Sequence, residues 1–167
     1  MLAGVSTTDP RVLQLQGTAL FGATNDETVA FVLAKAPRIT IETGRWFFRE
    51  GERGASIYWL EQGRVAICMK RGDADVELRQ LGPGDCFGEV ALFDFGPRSA
   101  SVLALEPCHA LEITSGLLRE VSRRDLEQYT LLTMNLGREL ARRARTAEHR
   151  LFELGRAWDS ATPVPST

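Results

Sequence analysis

Apolar positions change their period twice along the chain. From Val29 to Ala36 they recur at helical spacing (Val29, Phe31, Val32, Leu33, Ala36). The run follows the helix-start signal Thr24-Asn25-Asp26-Glu27 and stops at Pro37. Ile39 and Ile41 then alternate with polar neighbours. Short apolar runs follow at Trp46–Phe48, Ile57–Leu60, Val65–Met69, Val76–Leu81, Val102–Leu105 and Ala110–Ile113, punctuated by Gly44, Gly51, Gly54, Gly63, Gly72, Gly82-Pro83-Gly84 and Gly96-Pro97. Many short strands between glycine turns predict an antiparallel sandwich or roll, with Arg71-Gly72-Asp73-Ala74 as a hairpin tip.

Beyond Ser115 the period returns to helical. It predicts a short helix from about Ser115 to Arg123 and a long one from about Asp125 to Trp158. In the long helix Leu140, Ala144, Ala147, Leu151, Leu154 and Trp158 form a seam at spacings of four and three. That seam can pack on the chain's own sheets or pair with a second subunit. The small Ala144 and Ala147 favour close approach of another helix, and so a homodimer. No element is predicted for residues 1–20, and 159–167 reads as a flexible tail. The fold class is α+β: an antiparallel, jelly-roll-like β-roll over residues 21–124, preceded by a helix and followed by the long C-terminal helix, 125–158.

Composition narrows the function. The chain has 167 residues, 44% hydrophobic and 25% charged, with a net charge of −2, an ordinary globular balance and not that of a general nucleic-acid binder. The six arginines of the long helix (Arg138, Arg142, Arg143, Arg145, Arg150, Arg156) are interspersed with Glu139, Glu148 and Glu153, the pattern of a solvated face. No apolar run is long enough for a membrane span, and the N-terminus has no signal-peptide pattern. Cys68, Cys86 and Cys108 lie far apart and read as reduced core residues of a cytoplasmic protein. Two histidines, His109 and His149, leave no metal cage, so the expectation is no metal and no enzyme.

One stretch carries chemistry: Phe87-Gly88-Glu89-Val90-Ala91-Leu92, then Gly96-Pro97-Arg98-Ser99-Ala100-Ser101-Val102. Gly88 permits close backbone approach, and the residues after it can form one helical turn whose free N–H groups attract an anion. Nine residues after Glu89, Arg98 falls between a Gly-Pro bend and an apolar strand, where a guanidinium becomes buried and needs an anionic partner. Amide donors, an arginine and a serine hydroxyl describe a phosphate pocket. Blander readings exist: Glu89 as a helix cap, and Arg98 paired with Glu89 or Asp94.

This stretch resembles the phosphate-binding cassette of cyclic-nucleotide-binding domains, the family of catabolite activator protein and the regulatory subunit of protein kinase A. Glu50-Gly51-Glu52-Arg53-Gly54 and Ile57–Val65 resemble the family's glycine-spaced hairpins, and about residues 20–157 are covered. The resemblance implies a cyclic mononucleotide ligand, cAMP with cGMP possible. Glu89 would accept from the ribose 2′-hydroxyl, Arg98 would pair with the cyclic phosphate, and Ser99 would donate to it. Gly88, Val90 and Ala91 would add backbone donors. Leu78 and Arg79 would lie on the base-lining strand.

In the catabolite activators a threonine on the long helix meets the adenine amine. Alignment on Ala141-Arg142-Arg143 puts Ala147 there, with Thr146 one residue earlier, so Arg143, Thr146 and Ala147 are the base-side candidates. The expected function is a stand-alone sensor that moves its C-terminal helix against an unidentified effector protein and binds no DNA itself. The alternative is a truncated transcription regulator of the same class.

Overall fold

The computed structural model describes residues 9–93 and 96–159; of Phe93, Leu154 and 156–159 it describes the backbone only. The elements run in chain order α1 (Pro10–Gln16), α2 (Asp26–Lys35), β1 (Arg38–Ile41), β2 (Trp46–Phe48), β3 (Ser56–Gln62), β4 (Val65–Arg71), β5 (Ala74–Leu81), β6 (Cys86–Phe87), α3 (Val90–Phe93), β7 (Ser101–Ala104), β8 (Cys108–Thr114), α4 (Ser115–Arg124) and α5 (Leu126–Asp159). The strands form two four-stranded antiparallel sheets, β1-β8-β3-β6 and β2-β7-β4-β5. This is the β-roll that the glycine-spaced apolar runs predict, with helices before and after it.

Strands β3 and β8 explain why the apolar runs at Ile57–Leu60 and Ala110–Ile113 are continuous. Alternate side chains point to opposite faces of a strand. Tyr58, Leu60, Cys108 and Ala110 enter the core between the two sheets. Ile57, Trp59, Leu111 and Ile113 enter a second core beneath the helices, with Phe21, Val29, Leu118 and Leu132. Both faces are covered, so both faces are apolar. The β4–β5 hairpin projects beyond the roll. Its tip is where the sequence puts it, with Arg71 opposite Ala74, and a bulge between Ile67 and Cys68 leaves Leu78 as the extra residue of β5.

Two elements have no counterpart in the sequence prediction. α1 is only seven residues long, and its signal is the Asp9 cap with proline at the first helical position. β6 is two residues, too short to show a period. Cys68 and Cys108 are buried and Cys86 half-buried, all unpaired, with burial pushing the Cys86 thiol up to about 12. Residues 1–8 and 160–167, including nearly all of the expected tail, lie outside the described residues. Among the described residues no helix is long and apolar enough to cross a membrane.

At 34 residues α5 is about 51 Å long. Its first half is docked: Leu132 and Leu136 are buried, Asn135 Nδ2 donates to the carbonyls of Leu20 (3.1 Å) and Gly22 (2.7 Å), and Gln128 Oε1 accepts from Asn25 N (2.8 Å). Of the seam residues Leu140 is half-buried while Ala144, Ala147 and Leu151 are exposed; the side chains of Leu154 and Trp158 lie outside the description. Asn135 and Gln128 are polar ties between the helix and the N-terminal segment. Asn135→Ala strands one buried and one half-buried carbonyl and should cost about 1–3 kcal/mol in urea unfolding. A loss under about 0.5 kcal/mol would show that apolar packing alone docks the helix.

Candidate functional site

The site is assembled around Arg98. Its backbone is pinned on both sides by the loop between β2 and β3: Arg98 N donates to Glu52 O (2.8 Å), and Gly51 N donates to Arg98 O (2.9 Å). The guanidinium then runs inward, 4% exposed, across Gly54, where any Cβ would collide with it. Nη1 donates to the carbonyls of Ser56 (2.9 Å) and Gly88 (2.8 Å). The Phe48 ring lies 4.0 Å below Cζ and the Tyr58 ring 5.7 Å away. Gly88 has φ +84, and a Cβ there would come within 2.7 Å of Nη1. The two glycines give the arginine its room, which a side chain at either position would fill.

Nε of Arg98 is buried with no hydrogen-bond partner. Burial holds the guanidinium below its ordinary pKa, against the favourable influence of the Tyr58 hydroxyl and the Glu112 and Glu52 carboxylates. No carboxylate of the described residues touches it. A buried cation bonded to neutral carbonyls and a ring, with a donor left over, is arranged to take an anion.

Glu89 is also buried, 3% exposed, at the start of the single turn α3, where Leu92 N donates to Glu89 O (3.1 Å). Its partner is not Arg98. Arg143, reaching down from α5, donates to Glu89 Oε1. Burial, together with the facing Arg79, pushes the Arg143 guanidinium down to about 10. Asp94, the other partner considered for Arg98, lies outside the described residues.

Gly88, Glu89, Val90, Ala91, Arg98, Ser99, Arg79 and Arg143 line one cleft of about 40 Å³, room for a few waters. A second cavity of about 150 Å³ shares Glu89, Arg79 and Arg143 with the first, so the Glu89–Arg143 pair stands where the two adjoin. A larger cavity of about 280 Å³, between α2 and the α4–α5 junction, holds none of the expected site residues.

Three base-side candidates stay outside the cleft. Leu78 is 52% exposed on the bulge. Thr146 is exposed and its hydroxyl donates back to Arg142 O (3.0 Å), and Ala147 is exposed. A helical residue lies about 100° round from its neighbour, and Arg143 is the one that faces the roll.

Sequence reasoning did not single out Phe48, Ser56, Tyr58 or Glu112. Glu112 had a signal: it is the one charged residue inside the buried run Ala110–Ile113. Its Oε1 accepts from Ser56 Oγ (2.7 Å) and Tyr58 OH (3.2 Å).

Comparison with known proteins agrees with this geometry. The chain is 33% identical over 135 residues to the cyclic AMP receptor protein of Thermus thermophilus, covering 80% of this chain and 61% of that one. It is 33% identical over 96 residues to the cAMP-dependent protein kinase type II regulatory subunit of Drosophila melanogaster, covering 53% of this chain and 26% of that protein. The crystal structure of the Thermus thermophilus catabolite activator protein superposes with a TM-score of 0.74 at 32% identity, over 83% of this chain and 63% of that one. The chain therefore spans about six-tenths or less of the length of these relatives. Residues 38–125 match the cyclic nucleotide-binding domain, and with the eight-stranded roll and its flanking helices this chain belongs to the cyclic nucleotide-binding domain family.

Proposed function

We propose that this chain is a cytoplasmic cAMP sensor that acts through its C-terminal helix on a partner protein, with no catalysis and no DNA contact of its own. The observation that carries the reading is the buried, under-compensated Arg98, placed beside Ser99 and Glu89 at the mouth of a cleft. The two relatives named for cAMP support the choice of nucleotide. In this reading the cyclic phosphate takes the free donor of Arg98 and the hydroxyl of Ser99. Gly88, Val90 and Ala91 offer backbone donors, Glu89 accepts from the ribose 2′-hydroxyl, and Arg79 and Arg143 face the base.

Calorimetric titration tests this directly. Wild type should bind cAMP more tightly than cGMP, and Arg98→Leu should lose on the order of 2–5 kcal/mol by removing a buried charge-assisted contact. Absence of heat with either cyclic mononucleotide at millimolar concentration would end the ligand assignment.

The Glu89–Arg143 pair links ligand to helix. The 2′-hydroxyl needs the carboxylate that Arg143 holds, and the cleft is too small while that pair lines it. Binding therefore favours an arrangement in which Arg143, and α5 with it, has shifted. Differential affinity for that arrangement is what moves the population. Hydrogen exchange across residues 126–159 should change on adding cAMP; an unchanged profile would sink the helix mechanism.

The exposed stripe of Ala144, Ala147 and Leu151 beyond the docked half of α5 is the part of the expected seam left for a second subunit. Leu151→Glu would put a charge into that contact and should convert dimers to monomers. Light scattering that finds wild-type monomers at micromolar concentration would overturn the dimer. A second reading is favoured by length alone. The chain spans 61% of the Thermus receptor protein, so it could be the sensing part of a longer transcription regulator, which a recognition helix in a longer reading frame would decide.

A further inference from the structure

Arg98 has two sources of fixed geometry on its inner side, the Ser56 carbonyl and the Tyr58 ring. Both belong to the first three residues of β3, and both residues are tied by their side chains to one atom. Ser56 Oγ donates to Glu112 Oε1 at 2.7 Å, and Tyr58 OH donates to the same oxygen at 3.2 Å. Glu112 stands directly across the ladder from Tyr58 on β8, the register in which a cross-strand side chain reaches its partner without strain. Burial and the adjacent Glu112 carboxylate hold the Tyr58 phenol above its ordinary range, so it stays protonated and donates.

The tyrosine is also held through its ring, edge-on to Phe47 at 5.6 Å, stacked on Phe87 at 5.5 Å and tilted against Phe48 at 5.8 Å. Those contacts set the plane of the ring and leave its hydroxyl to be placed by Glu112. Ser56 is 8% exposed and Tyr58 9% exposed, so neither hydroxyl has water as a ready substitute for the carboxylate. Glu112 makes no salt bridge with Arg98; besides the favourable effect of its charge, it acts on the guanidinium through these two residues.

We propose that Glu112 is the positioning residue of Arg98: one carboxylate oxygen on β8 fixes Ser56 and Tyr58, and through them keeps the guanidinium aimed into the cleft before any ligand arrives. A guanidinium already ordered when the phosphate approaches spares the binding step that ordering cost. The consequence for affinity rests on the cyclic-nucleotide reading; the positioning in the free protein does not.

Two measurements separate them. The first needs no ligand: ¹⁵N NMR of the arginine side chains follows rotation of the Arg98 guanidinium about Nε–Cζ. It should be slow in wild type, slow in Glu112→Gln, which keeps an acceptor oxygen for both hydroxyls, and faster in Glu112→Ala. The second is titration with cAMP. Glu112→Ala strands two buried hydroxyls and should weaken binding about tenfold, Glu112→Gln should stay within about threefold of wild type, and Tyr58→Phe, which removes one tie and keeps the ring, should fall between.

Rotation and affinity unchanged in Glu112→Ala would overturn the proposal and leave the ligand assignment standing. Equal losses in Glu112→Gln and Glu112→Ala would also overturn it, since charge and not placement would then be acting. A wild type that ignores cAMP while the NMR differences persist would overturn the ligand and keep the positioning role. Should Glu112→Ala fail to fold, Tyr58→Phe carries the same two measurements, and wild-type behaviour in both would overturn the proposal.

Discussion

The burial of one guanidinium organises this domain. An arginine out of water is costly unless donors and charge are both answered. The chain answers them partly: two backbone carbonyls take the donors of Arg98 Nη1, an aromatic face and the charges of Glu112 and Glu52 favour the cation, and the buried Nε–H is left without a partner. Several otherwise unrelated features follow. Gly54 and Gly88 clear the space, the β2–β3 loop clamps the backbone, and Phe48, Tyr58 and Phe87 form an aromatic floor. The fold builds a cationic, water-poor point in the lining of a cleft.

Glu89 presents the opposite arrangement. It is a buried carboxylate whose charge is answered by a cation from a different layer, the long helix. Arg98 is held within the roll, Glu89 is held between roll and helix, and the two sit on the same short cassette. One anchor is fixed and the other depends on where α5 lies. The Glu89–Arg143 pair is the only ionic link between the cassette and α5 that the described residues show.

The roll was readable in the sequence because its signals are local: glycine spacing and alternation. The short separations among Gly88, Glu89 and Arg98 likewise bring them to one cleft. What was not readable is long-range. That Arg143 reaches Glu89 across 54 positions depends on how α5 docks, and Thr146, three residues on, lies on another face. Alignment pointed to Ala147 and Thr146 with Arg143; only the packing of Leu132, Asn135 and Leu136 selects among them. Glu112 escaped notice for a similar reason: its partners are brought to it by strand register, and no spacing in the sequence encodes a register. α1 and β6 were missed because seven and two residues, barely two turns and one strand period, are too few for a pattern to repeat.

Strand β3 is shared property. Ser56 and Tyr58 face the cleft side while Ile57 and Trp59 face the helical layer, so the two compartments are separated by a wall a single backbone thick. Such a wall cannot shift for one neighbour alone. A change of side-chain volume at Trp59, which touches no part of the cleft, would displace the carbonyl that Arg98 grips and the ring beside it. Evolution of the helical layer is thereby constrained by the chemistry next door. Residues that look like ordinary core packing on the helix side carry a tolerance set by the ligand cleft.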